Sequence, residues 1–340
     1  MNVNFNGFYT NLNQEDYPYH LDITFAPNVF FVDGYFDLNM AAFTGNIVPP
    51  NGIDQIVLHD NATGGGGSKW FNGHVTIPDS VTNLSHAFSE LSMFDQPVDI
   101  PDSVTNCEFT FFKCYRLNSP VNIGNGVTNA QNMFYMCQNM KSTVNLGSSM
   151  VELDGMFFGC NNLNTPITIP DSAVNARNMF VQCYNLNSTV NLGNGVTNAA
   201  NMFQSCINFN QPITIPNSVT SCRAMFDRCA KLNQPITVPD SVDSMSWMFN
   251  ACRNLNRTVT IPNKDISLQQ TFENCVNLAV DMTIPLAITN DSNLYHTFTR
   301  CDNYNKGTPI AKLRVPSLFY ANSSSIPYWS AEARSCIEWY

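Results

Sequence analysis

Apolar residues return at fixed intervals over most of this chain. The phrase MFDRCAKLNQPITVPDSV, which begins at Met225, recurs in altered form both upstream and downstream. Anchored on its phenylalanine, the copies fall at Phe88, Phe111, Phe134, Phe157, Phe180, Phe203, Phe226, Phe249 and Phe272, each 23 residues after the last. A tenth, Phe298, follows after 26, with three residues inserted within 290–294. With Phe as position 1, apolar residues recur at positions 1, 4, 7, 11, 13, 17 and 20, and at 23 in the central copies. Position 4 is Leu91 and then Cys114, Cys137, Cys160, Cys183, Cys206, Cys229, Cys252, Cys275 and Cys301. A period this regular marks a repeat protein.

Each repeat divides into two elements. Positions 11 to 13 alternate apolar and polar, as in Ile167-Thr168-Ile169, which predicts a short strand with two residues inward and one outward. Proline (Pro170, Pro216, Pro239) or glycine (Gly147, Gly193) ends it. Apolar residues at positions 1, 4 and 7 predict a short helical or 3₁₀ turn that faces inward on the return. One such unit cannot bury its apolar side alone, whereas stacked units bury a continuous core. The expected fold is a repeat solenoid of about ten 23-residue coils with a parallel β-sheet. At about 4.8 Å per coil it would form a rod on the order of 50 Å long.

The phrase IPNSVTSCRAMFDRCAKL at 215–232, like IPDSV and AF within 77–88, resembles the BspA-like leucine-rich repeats, which read IP-x-SVT…AF-x-x-C-x-x-L. VTNA and NMF at 127–134 and 196–203, with FNQP at 209–212, also look like the repeats of bacterial surface lipoproteins. The resemblance covers residues 71 to about 305. It departs from the BspA-like pattern by one extra residue between the leucine and the strand. The resemblance implies a leucine-rich repeat fold and a role in surface adhesion.

The repeat also sets the expected domains. Residues 1–62 do not repeat and are rich in Phe and Tyr, which suggests a small β region or cap that could serve for attachment. The run Thr63-Gly64-Gly65-Gly66-Gly67-Ser68 lies in a Gly-rich joint at 63–69. The solenoid proper is assigned to 70–305 and a C-terminal cap to the aromatic tail 306–340.

Composition narrows the function. Of 340 residues, 44% are hydrophobic and only 12% charged, well below the usual ~25%. Neutral polar groups must therefore cover the surface. The net charge is −10 and no Lys/Arg cluster exists, which argues against a nucleic-acid partner. No run approaches the ~20 apolar residues of a membrane span, and neither end carries an export, lipidation or wall-anchor motif.

The candidate chemistry is mostly structural. Twelve cysteines could form a metal ladder, a disulfide ladder or a core column. One thiol every 23 residues lacks the clustered spacing of metal ligands, and a column cannot pair throughout. The column therefore reads as buried small hydrophobes. Cys107 and Cys222, at position 20, join the core, which leaves only Cys336 outside the pattern. The Met column at position 23 reads as packing against Phe. The Asn column at position 6 (Asn139, Asn162, Asn185, Asn208, Asn254, Asn277, Asn303) reads as backbone-bonding turn residues whose stacked copies can bond one another. His20, His59, His74, His86 and His296 are scattered beside no nucleophile motif. Asp79, Asp102, Asp171 and Asp240 at position 15 are turn residues. No catalytic, cofactor or metal residues are expected.

The candidate working surface is position 12, the outward residue of each strand: Thr76, Asp99, Asn122, Asn145, Thr168, Asn191, Thr214, Thr237, Thr260 and Thr283. It reads either as a solvated sheet face or as a contact stripe for protein or glycan. The expected function is a non-catalytic binding or structural protein. With no export or anchoring motif in view, the leading expectation is a phage virion component made in the host cytoplasm. Its partners would be virion or host-surface components, and self-association would run through the N-terminal region. The alternative is a cell-surface adhesin that binds glycan or host protein, and a third reading is an intracellular scaffold.

Overall fold

The computed structural model describes residues 71–301, 312–319 and 336–340, and the short N-terminal stretches 23–24, 35–37, 46–49 and 55–57. The chain divides into two compact units, Met1–Ala173 and Val174–Tyr340. Each is a parallel β-solenoid with almost no helix, as the repeat pattern requires. The Gly-rich joint and most of residues 1–62 lie outside the described residues.

Strands are very short. The first unit carries β1 (Ile23–Thr24), β2 (Tyr35–Asp37), β3 (Asn46–Val48), β4 (Gln55–Val57), β5 (His74–Val75), β6 (Val98–Ile100), β7 (Val121–Ile123) and β8 (Ile167–Thr168). The second carries β9 (Val190–Asn191), β10 (Ile236–Thr237), β11 (Val259–Thr260), β12 (Met282–Thr283), β13 (Leu313–Val315) and β14 (Ile337–Trp339). All pairings within the units are parallel: β1–β3–β5, β2–β4 and β6–β7 in the first, β10–β11 and β12–β13–β14 in the second. Strand pairing thus joins β1 and β3 of the non-repeating N-terminal region to β5 of the first repeat. It likewise joins two strands of the tail to β12.

With strands this short, most coil-to-coil bonding lies elsewhere. The amides at positions 20, 22, 1 and 3 of the return segment each donate to the following coil. An example is Leu84 to Asn106 (2.8 Å), His86 to Glu108 (2.9 Å), Phe88 to Thr110 (2.8 Å) and Glu90 to Phe112 (2.6 Å). The amides between them close tight turns three residues back, as Ala87 does on Leu84 and Leu91 on Phe88. The same alternation recurs in the second unit, for instance at Trp247 to Gln269 and Ala251 to Glu273.

This geometry replaces the helical or 3₁₀ return turn expected from the apolar spacing. Every residue at positions 22 and 3 is left-handed, from His86 (φ 58°) and Glu90 (φ 62°) to His296 (φ 56°) and Arg300 (φ 58°). A left-handed third residue is what a type II turn demands. A non-glycine residue there costs about 1 kcal/mol or more. The cost is offset because the same residue donates its N–H to the next coil. Gly155 (φ 63°) meets the demand at no cost, and a Cβ there would collide with Oδ1 of Asn132.

Side chains reinforce the ladder at nearly every turn. Asn106, Asn129 and Asn198 at position 19 accept the amide two residues on (3.1, 3.0 and 3.2 Å). This is a local turn that asparagine favours. Ser103 and Ser218 at position 16 donate to the valine carbonyl of the coil before (2.8 and 2.7 Å). At position 8 the Asn210 Oδ1 accepts the Asn233 amide (2.8 Å), and Asn233 Oδ1 accepts that of Asn256 (2.9 Å). The position 6 column bonds along itself as expected, Asn208 to Asn185 at 3.2 Å and Asn277 to Asn254 at 3.3 Å.

Inside, phenylalanines stack coil on coil. Centroids lie 5.4 Å apart for Phe111–Phe134 and Phe134–Phe157 in the first unit. In the second they lie 5.5 Å apart for Phe203–Phe226 and for Phe249–Phe272. The cysteine column beside them is fully buried, and all twelve thiols are free, with Cys336 alone half-buried. Column thiols donate to the position 1 phenylalanine carbonyl of the preceding coil: Cys114 to Phe88, Cys229 to Phe203 and Cys252 to Phe226, all at 3.0 Å. Cysteine is thus the small apolar residue that also carries a weak donor for that carbonyl. Where threonine replaces methionine at position 23, its hydroxyl does the same for position 20, as Thr110 does for Leu84 (3.0 Å). Burial raises the column thiols above their ordinary range, and pushes Cys107 and Cys222 at position 20 up to about 12.

In native protein at pH 8 a thiol reagent should modify Cys336 fast and the eleven buried thiols only on unfolding; rapid modification of the column would contradict this packing. Cys229→Ala should lower stability by about 2 kcal/mol in urea melts. Asn210→Ala should cost about 1 kcal/mol, and Asn210→Asp, which keeps the acceptor that Asp95 supplies at this position (to Asn118, 2.8 Å), should cost less.

Candidate functional site

The stripe at position 12 is where the sheet faces outward. In the first unit Thr76, Asp99, Asn122, Asn145 and Thr168 are all exposed, and so are Asn191, Thr214, Thr237, Thr260 and Thr283 in the second. Their exposure follows from strand alternation, because the flanking position 11 residues, such as Val98, Ile167, Ile236 and Val259, are buried. Register places Asp99 opposite Asn122 and Thr237 opposite Thr260, and a bridge pairs Asn122 with Asn145. Asn122 Nδ2 donates to Asp99 Oδ1 at 2.6 Å. The row offers hydroxyl and amide groups at strand spacing and little charge.

The structure lengthens this row with residues the 23-residue period does not reach. Thr283 pairs with Arg314, and Arg314 with Glu338. Arg314 Nε lies 3.1 Å and Lys312 Nζ 3.3 Å from the Glu338 carboxylate. Hydrogen bonds from both cations hold that carboxyl below the usual range. All three side chains are well exposed, so the pairs contribute little to stability.

The return side differs between the units. At position 2 the first unit carries Phe112, Tyr135 and Phe158 in a half-buried stack with centroids 5.2 and 4.5 Å apart, and Lys113 Nζ lies 4.7 Å from the Phe112 ring centre. In the second unit the same position carries Val181, Gln204, Asp227, Asn250, Glu273 and Thr299. Asp227 is only 4% exposed; Gln204 Nε2 donates to its Oδ2 at 2.8 Å, Arg228 Nε lies 3.9 Å away, and its Oδ1 has no hydrogen-bond partner. Burial pushes the Asp227 carboxyl up, against the pull of Gln204 and Arg228. The sequence reading missed this column; its signal was the switch from aromatic to polar residues at one repeat position.

Titratable groups do not converge elsewhere among the described residues. His86 stacks on Phe109 (4.9 Å) and His296 Nδ1 lies 3.1 Å from Thr299 Oγ1, in different units. His20 and His59 lie outside the described residues. Asp79, Asp102, Asp171 and Asp240 are exposed in turns, and Asp102 Oδ1 accepts the Asn125 amide at 2.6 Å. Among the described residues no group of three metal-binding side chains forms, and no helix is long and apolar enough to cross a membrane.

Comparison with known proteins agrees with the repeat architecture. A family model described as "Mycoplasma protein of unknown function, DUF285" matches in five overlapping windows, residues 67–146, 124–214, 151–262, 191–286 and 216–313. No curated protein sequence matches the chain. Among solved structures, a leucine-rich repeat protein from Bacteroides ovatus aligns over 94% of this chain and 92% of its own, at 18% identity and a TM-score of 0.56. A leucine rich cell surface protein from Faecalibacterium prausnitzii aligns over 96% of both chains at 18% identity, with a TM-score of 0.38. A Treponema pallidum leucine-rich repeat protein covers 68% of this chain and 82% of its own at 16% identity, with a TM-score of 0.29. With its family matches spanning most of the coils and its fold that of a leucine-rich repeat protein, the chain belongs to the DUF285 family and is built from BspA-like leucine-rich repeats.

Proposed function

We propose that this chain is a non-catalytic binding protein of the cell-surface adhesin kind, which engages a macromolecular partner along the outward face of its strands. The observation that carries the reading is the uniform exposure of position 12 in both units, a neutral hydrogen-bonding row on a rigid backbone. Polar residues elsewhere in the coil serve the backbone, Asn210 and Ser218 in neighbouring coils and Asn198 within its own turn. Extended faces of this sort are what solenoids commonly use for binding.

The virion setting expected from the sequence drew on export signals not seen at the chain ends, and it is not carried forward. A surface setting is compatible with the core chemistry. Thiols that are fully buried and held in the neutral form resist oxidation and exchange, so an oxidising exterior leaves the cysteine column intact.

The test is flow cytometry of fluorescent chain on bacterial and epithelial cells. Asn122→Lys with Asn145→Lys in one variant, and Thr214→Lys with Thr237→Lys in another, should each cut cell binding at least tenfold, with folding retained and the melting temperature lowered only slightly. Binding that ignores these variants but falls with Tyr135→Ala on the return side would overturn the strand-face reading. Failure of the unaltered chain to bind either cell type would overturn the surface reading.

A further inference from the structure

In the second unit the outward face is interrupted between β11 and β12. β10 pairs with β11, and β12 with β13 and β14, but no ladder joins β11 to β12. A cavity of about 480 Å³ opens there, lined by both strands and by the Tyr340 side chain. The volume lies within the ~300–1,000 Å³ of small-ligand sites. Tyr340 comes from well beyond β12 in sequence and is tied back by its hydroxyl, which donates to the Ile284 carbonyl at 2.6 Å. The ring is thereby held as a wall and is 42% exposed.

The lining has a definite chemistry. Tyr340 and Leu286, the latter 58% exposed, give an apolar surface. Thr258, Thr260 and Thr283 add hydroxyls, and Asn263 an amide. Asp281 adds a carboxylate with one oxygen taken by the Lys312 amide at 2.7 Å. No Lys, Arg or His lines the cavity, and the nearby cations Lys312 and Arg314 are engaged by Glu338. An anionic ligand would therefore meet a carboxylate without a counter-charge. Hydroxyls and an amide that both donate and accept, beside an aromatic face, match a ligand that is polyhydroxylated on its rim and apolar across its ring faces.

We propose that this cavity is a binding site for a neutral saccharide, with Tyr340 and Leu286 against a sugar ring face and Asp281, Asn263 and the threonine hydroxyls on its hydroxyl groups. The site shares Thr260 and Thr283 with the strand-face row and so rests on the reading of that face as the working surface. It goes further in naming a ligand class and a location.

The experiment is calorimetric titration of the full chain with cellobiose, maltose, lactose and chitobiose, with glucose 6-phosphate and a Thr/Asn-rich neutral peptide as comparisons. At least one disaccharide should bind, and the phosphate should not. Tyr340→Ala and Asp281→Asn should each weaken that binding at least tenfold, with unchanged far-ultraviolet circular dichroism and, for Asp281→Asn, an unchanged melting temperature. Thr260→Val, which keeps shape and loses only the hydroxyl, should weaken it several-fold with folding intact. Binding of none of the disaccharides, binding of the peptide alone, or binding indifferent to all three variants would overturn the proposal.

The two readings fail separately. If Asn122→Lys with Asn145→Lys abolishes cell binding while no disaccharide binds, the saccharide site falls and the strand-face reading stands. If a disaccharide binds through Tyr340 while the lysine variants leave cell binding untouched, the saccharide site stands and the broader face reading falls.

Discussion

Backbone hydrogen bonds between successive return segments set the terms for the rest of this molecule. Four amides per coil, at positions 20, 22, 1 and 3, reach the next coil, whereas the strands pair over only two or three residues. Amides that point along the stack on alternate residues require the chain to reverse handedness at positions 22 and 3. Among the described residues, eighteen non-glycine residues accept a positive φ for this reason. An ordinary helix would direct its amides back along its own axis and leave each coil with no bond to the next. The interval of 23 changes only by insertion outside these segments, as in the 26-residue step from Phe272 to Phe298, where Phe272 still donates to Thr297 at 2.9 Å.

The repeated side chains follow from the same constraint. A parallel stack places identical atoms about one strand spacing apart, so a residue is retained where its side chain can serve a copy of its own surroundings in the adjacent coil. Asn210 does this with an acceptor, Ser218 with a donor and the column thiols with a weak donor toward the phenylalanine carbonyl. A valine at position 4 would fill the space but give up the second donor to that carbonyl, which also accepts the position 4 amide of its own coil, as Phe203 accepts Cys206 at 3.0 Å. A serine would donate well but forfeit apolar burial. Cysteine satisfies both demands, which is why it marks the repeat without doing chemistry in it.

What the sequence disclosed and what it hid divide along this line. The stacking of Phe, Cys and Leu was legible because burial fixes residue type, and the outward stripe was legible because strand alternation fixes direction. The left-handed turns were not legible. Positions 22 and 3 hold His, Phe, Asn, Ala, Trp, Lys, Arg and Ser among others, since the backbone bond and not the side chain sustains the conformation. The helical turn inferred from apolar residues at 1, 4 and 7 mistook a chain of tight turns for a helix of similar pitch. The pairing of β1 with β3 and β3 with β5 was hidden because Ile23 and Ile47 lie 24 residues apart and Ile47 and Val75 lie 28 apart. The tail strands were hidden by the 31 residues from Thr283 to Arg314. The buried Asp227 escaped notice because position 2 varies in kind from Ser89 through Phe112, Tyr135 and Phe158 to Val181, which shows no fixed burial.

The low charge of the chain acquires a physical reason from this architecture. Charged groups stacked at strand spacing repel their own copies, and like charges directly opposite are destabilising. A near-exact repeat therefore favours neutral polar residues at every position it holds constant. Several of its charges come in opposed pairs, Lys113 with Glu90 and Arg314 and Lys312 with Glu338, while the position 15 aspartates stand exposed in turns. The same rule shapes the outward face. Asp99 stands beside Asn122 and donates nothing, while Asn122 supplies the hydrogen bond; a second aspartate there would have no donor to offer and a like charge to oppose. A face built under this rule is rich in hydroxyl and amide groups and poor in fixed charge, so its selectivity must come from hydrogen-bond geometry and from local breaks in the stack. The recess between β11 and β12 affects only the outward row, since Ala251 still donates to Glu273 on the return side, and it is where an aromatic ring, a carboxylate and three threonine hydroxyls meet.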